Sequence, residues 1–83
     1  MPLYIDIHRN IEGLTGEAVA QAHQKDVEIQ GQHGVEYIKY WFNEEEGTVI
    51  YLCRAPSMEA AERVHRLAHG LVADEIIEVQ EGA

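Results

Sequence analysis

The chain has 83 residues, 46% of them apolar and 25% charged, and its six Lys+Arg against fifteen Asp+Glu give a formal charge of −9 at pH 7. That length holds one domain with one modest core, and the composition is that of a folding chain, not of a disordered one. The acidity repels phosphate backbones, which argues against nucleic acid as a partner, and no run approaches the roughly 18 apolar residues of a membrane span.

Leu3 to Arg9 alternates, with Leu3, Ile5 and Ile7 on one face and Tyr4, Asp6 and His8 on the other, which predicts the first strand. Met1 enters this strand pattern with no basic leader, so a cytoplasmic location is expected. Thr15 caps a first helix that carries Glu17 in its first turn and runs to the break at Gly31 to Gly34. Val35 to Asn43 and Thr48 to Arg54 are strands, joined as a hairpin by Glu44 to Gly47. Ser57, just after Pro56, caps a second helix that Gly70 stops, and Ala73 to Gln80 returns to an extended pattern before a frayed tail, Glu81 to Ala83.

The order β-α-β-β-α-β predicts a single α+β domain over residues 1–83, the ferredoxin-like arrangement of a four-stranded antiparallel sheet with both helices on one face. Either parity of the second strand is apolar, with Ile38, Tyr40 and Phe42 on one side and Tyr37 and Trp41 on the other. Helices cover only one face, so a homodimer through the open sheet face is expected.

Four of the five histidines lie in short polar clusters: Asp6-x-His8, His23-x-x-Asp26 and His65-x-x-x-His69. These spacings turn two donors to one side of a strand or helix, and imidazole and carboxylate are ordinary ligands of first-row divalent metals. On the first helix Asp26 falls inside the apolar arc of Ala18, Val19, Ala22 and Ile29, with His23 at its edge. A carboxylate there needs a compensating histidine, lysine (Lys39) or metal. On the second helix His65 lies at the margin of the apolar arc and His69 further round, toward water. The primary donors are therefore His8, His23, Asp26 and His65, with Asp6 and His69 secondary. The sequence leaves open which sheet face carries Asp6 and His8, and Tyr40 and Cys53 are further candidates for the same pocket. Cys53 is the only cysteine, so neither an internal disulfide nor a cysteine-type zinc site can form, which fits a reducing compartment.

The run Asp6-x-His8, Ala22-His23-x-x-Asp26, Tyr40-Trp41, Ala55-Pro56 and Val64 to Gly70 (VHRLAHG) resembles a family of small bacterial nickel-binding proteins once grouped as a domain of unknown function. The resemblance rests on order and spacing over nearly the whole chain. It implies a ferredoxin-like dimer that binds Ni(II), partly through surface sites, with no established reaction. Two other readings stand beside it. One is a dimeric α+β-barrel enzyme, an isomerase or cofactor-free oxygenase, with a His-Asp acid-base pair between sheet and helices. The other is a partner-binding module whose histidine-aspartate network merely satisfies itself.

Overall fold

The computed structural model describes residues 1–83. Strands β1 (Leu3–His8), β2 (Glu36–Asn43), β3 (Thr48–Arg54) and β4 (Glu75–Val79) alternate with helices α1 (Gly16–Gln30) and α2 (Met58–Ala68), and a 3₁₀ turn, Gly31–His33, follows α1. The strands form one antiparallel sheet in the order β2-β3-β1-β4, the ferredoxin-like topology that the element order predicts. No helix is long and apolar enough to cross a membrane.

The helix starts follow their caps. Thr15 Oγ1 accepts from the Ala18 N–H at 3.1 Å and Ser57 Oγ from the Ala60 N–H at 3.2 Å, each satisfying one donor that the first turn leaves unpaired. At the far end of α2 the N–H groups of His69 and Gly70 both reach the His65 carbonyl, with Gly70 left-handed at φ +81°. β4 begins two residues later than its sequence pattern suggests, because Asp74 is occupied in closing the junction. Its N–H donates to the Ile7 carbonyl at 2.9 Å, and its carboxylate accepts from the Arg9 N–H at 2.6 Å.

Register assigns the faces. Tyr4, Asp6 and His8 are buried beneath the helices with Val49, Tyr51 and Cys53 of β3, while Leu3, Ile5 and Ile7 lie half-buried on the open face. This settles the orientation of β1 that alternation alone leaves open. In β2 a bulge at Ile38 shifts the register, so that Tyr37 pairs with Cys53 while Tyr40 and Phe42 pair with Tyr51 and Val49. Tyr37 therefore shares the helix side with Tyr40 and Phe42, which corrects the strict two-residue alternation expected from the sequence: the extra residue reverses parity midway. Trp41 stays on the open face with Ile50.

The turn between β2 and β3 is fixed by Gly47, whose φ is +67°. Its carbonyl accepts from the Ile11 N–H at 3.0 Å, and a Cβ there would stand 2.5 Å from the Ile11 carbonyl oxygen. Gly13 has a similar φ, but its Cβ would meet nothing within 4 Å. Gly13→Ala is expected to cost about 1 kcal/mol, the left-handed penalty alone, and Gly47→Ala about 2 kcal/mol or more. Urea unfolding of the two variants checks the order; equal losses would remove the close approach as the cause.

Candidate metal centre

Helix α2 turns Ala60, Ala61, Val64 and His65 to the sheet, and the first three are small enough to let the helix lie close. His65, fully buried, thereby reaches the middle of the layer. Its Nδ1 lies 2.9 Å from Asp26 Oδ1 on α1, and its Nε2 lies 3.0 Å from Asp6 Oδ2 on β1. Both carboxylates are buried, so one imidazole links three elements. The Tyr37 ring stacks on His65 with centroids 4.4 Å apart. Its hydroxyl donates to the Ala61 carbonyl at 2.8 Å and lies 3.5 Å from Asp6 Oδ2. Tyr51 flanks the imidazole from β3 at 4.9 Å.

His8 and His69 extend the cluster on opposite sides. His8 Nε2 lies 3.2 Å from Asp6 Oδ1, within ion-pair distance, and both atoms are buried without a hydrogen-bond partner. His69 Nε2 lies 3.2 Å from Asp26 Oδ1, and His69 Nδ1 accepts from the Leu71 N–H at 3.2 Å. With Nδ1 accepting, Nε2 carries the proton and donates to Asp26 Oδ2 at 3.4 Å. His69 is thus not the solvated residue that continuing the helical wheel suggests. α2 ends at Ala68, His69 leaves helical backbone at φ −145° and ψ −2°, and its ring turns inward.

Asp26 lies under α1 as its place in the apolar arc requires, compensated by His65 and His69. Lys39 is exposed and pairs in register with Leu52, away from this layer. Two groups of metal-ligating side chains result, Asp6–His8–His65 and Asp26–His65–His69, each with its donor atoms within 4.8 Å of one another. His23 belongs to neither: it packs on Tyr40 at 4.9 Å between ring centroids, with Nδ1 buried and unbonded. Cys53 is fully buried, and burial pushes its thiol up to about 12, an inert core group.

Burial alone would raise the Asp6 carboxyl, but the hydrogen bond from His65, together with His8 beside it, holds it below the usual carboxylate range. Asp26 is lowered in the same way, against its burial, by His65 and His69. For His65, burial disfavours the charge and the two carboxylates override it, raising the group from 6.5 to about 9. At neutral pH the centre is therefore an imidazolium between two carboxylates, which leaves these three groups with a net negative charge. Tyr37 and Tyr51 are both raised, first by burial and then by the nearby carboxylates, and stay neutral.

Residues 4–79 match the family described as nickel responsive protein SCO4226-like, and the chain belongs to that family. Its fold is shared with the crystal structure of SCO4226 from Streptomyces coelicolor A3(2), at 38% sequence identity and a TM-score of 0.91 over 98% of this chain and 99% of that one. No curated protein matches the chain.

The titration of the centre sets the stability of the metal-free protein. The raised group, His65, contributes fully below its ordinary 6.5, and this contribution is lost as the pH rises through about 9. The lowered carboxyls contribute above their ordinary 3.8, and theirs is lost as the pH falls below it. Thermal unfolding with chelator should show greatest stability near about pH 5 to 6 and a loss of up to about 3 kcal/mol on the alkaline side. A flat profile from about pH 6.5 to 9.5 would contradict a buried imidazolium.

Proposed function

We propose that this member of the SCO4226-like family is a small cytoplasmic binding protein for a divalent metal, nickel by the family's description, with Asp6, His8 and His65 as donors. The observation that carries the reading is the pair of orphaned atoms, Asp6 Oδ1 and His8 Nε2, both buried and 3.2 Å apart. Two adjacent donors on a first-row ion, with bonds of about 2.1 Å, stand about 3.0 to 3.4 Å from each other. Buried polar atoms are seldom left unpaired, and a cation between these two would satisfy both. The net negative charge of the centre favours the same occupant.

Asp26 then supports the ligand set without joining it. Its bond to His65 Nδ1 leaves Nε2 as the metal-facing nitrogen, the carboxylate–histidine–metal arrangement that fixes ring orientation and basicity. His69, which hydrogen-bonds to Asp26, belongs to that outer support. His65 would have to give up its Nε2 proton to serve as a donor, so binding would release a proton to solvent.

Calorimetry on tag-free, chelator-treated protein should give stoichiometric binding of Ni(II) at about pH 7.5 that weakens strongly near about pH 5.5. Copper is also expected to bind, since intrinsic affinity for nitrogen and oxygen donors favours it. His8→Ala and Asp6→Asn should each weaken nickel binding at least tenfold, and Asp26→Asn by about 10- to 100-fold. Binding unaltered in the first two would reject this ligand set, and binding without defined stoichiometry would reject the metal reading.

The same protein is proposed to work as a homodimer through its open sheet face. Trp41 and Ile77 are 49% and 43% exposed there, beside half-buried Ile5, Ile7, Ile50 and Leu52. An unpartnered sheet face of this composition is covered most simply by its own copy, in an isologous contact. Sedimentation should give twice the chain mass, reduced to a monomer by Ile5→Lys with Trp41→Glu. A wild-type monomer at about 0.1 mM, where a stable dimer interface would be saturated, would refute the dimer.

A further inference from the structure

A cavity of about 150 Å³ opens beside the cluster, between α1, the loop after β1 and the sheet. Leu14, Val19, Ala22 and Val49 supply an apolar wall, and His8, Tyr51 and His69 bring polar groups to it. No lysine or arginine lines this space, and Glu12 stands at its margin. The bonds of His69 are already committed, Nδ1 to the Leu71 N–H and Nε2 to Asp26, which leaves Tyr51 and His8, whose Nε2 is turned to Asp6, as the remaining polar wall groups.

We infer that this cavity binds a neutral single-ring organic molecule carrying one hydroxyl, a phenol-like ligand, with its ring against the apolar wall and its hydroxyl toward His8 and Tyr51. Size sets the first term, since a cavity of about 150 Å³ lined by aliphatic side chains accepts a benzene-sized body. Charge sets the second. Glu12 stands at the margin and no lysine or arginine lines the space, so a carboxylate or phosphate on the ligand would give up its hydration with no fixed cation to pair with. Polarity sets the third. A mostly apolar pocket with a few convergent polar groups is the usual form of a small-molecule site, and a hydroxyl is the smallest neutral group that both donates and accepts.

The inference does not depend on metal, and its test is made on metal-free protein. Phenol, benzoate and toluene are titrated into the chelator-treated full chain and followed by methyl and amide NMR shifts. Phenol should saturate with a Kd on the order of 1 mM, the range for a ligand of its size, and its shifts should centre on Leu14, Val19, Ala22 and Val49. Toluene should bind at least about fivefold more weakly and benzoate about tenfold more weakly. Filling the space by Ala22→Leu, or by Ala18→Leu at an exposed helix position that leaves folding intact, should weaken phenol at least tenfold. Shifts centred elsewhere in the wild-type protein, no saturation, or benzoate binding as tightly as phenol would each overturn the assignment.

Discussion

Everything on the helix side of the sheet is arranged around one charged contact, the His65 imidazole held between Asp6 and Asp26. Taking three ionisable groups out of water is costly, and the cost is offset only while each keeps its partners. Removing His65 takes from Asp6 and Asp26 their shared partner and leaves them only His8 and His69. The contact therefore ties α2 to β1 and to α1 at once, and it does so at the centre of a layer whose apolar members are mostly small. Three of the five largest fully buried side chains are His65, Asp6 and Asp26. A domain of this size that spends its interior on charge gives up hydrophobic stabilisation it has little of. Such an arrangement fits a layer kept for chemistry better than one kept only for stability.

On the metal-binding reading proposed above, the same atoms would serve two occupants. With a proton on Nε2, His65 is an imidazolium whose charge the two carboxylates share. A cation held there would have Asp6 and His8 as its neighbours, while Asp26 would continue to hold the other nitrogen. Tyr37 and Tyr51 close the layer around the ring and keep the local dielectric low, which strengthens each charged contact. His8 stands where the two halves of the site meet, beside Asp6 on one side and at the wall of an apolar cavity on the other.

The fold was legible because its signals are local. Thr15, Ser57, Gly47 and Gly70 mark the ends of elements, and alternation in β1 identifies a strand without reference to anything distant. Asp26 was readable as an inward carboxylate because it interrupts an apolar arc. Other features depend on contacts far apart in sequence or on a break in periodicity. Alternation defines two faces of β1 but not which one the helices cover, and the rule that apolar residues go inside would have chosen Leu3, Ile5 and Ile7. The choice of Asp6 and His8 is made by His65, 59 residues from Asp6. His69 escapes the helical wheel because α2 ends one residue before it. His23 has the spacing of a ligand with Asp26, yet Tyr40 engages its ring. Tyr51 carries no motif at all, and only its register opposite Asp6 brings it to the site.

The bulge at Ile38 has an effect beyond reversing side-chain parity. β2 is an outer strand, and a straight outer strand offers unpaired amide and carbonyl groups on which a foreign chain can grow the sheet sideways. An extra residue within β2 interrupts that repeat and tightens the local twist, which makes regular pairing along its whole length unfavourable. Lateral growth into fibres is thereby disfavoured, while the broad apolar surface of the sheet stays free to meet a partner face to face.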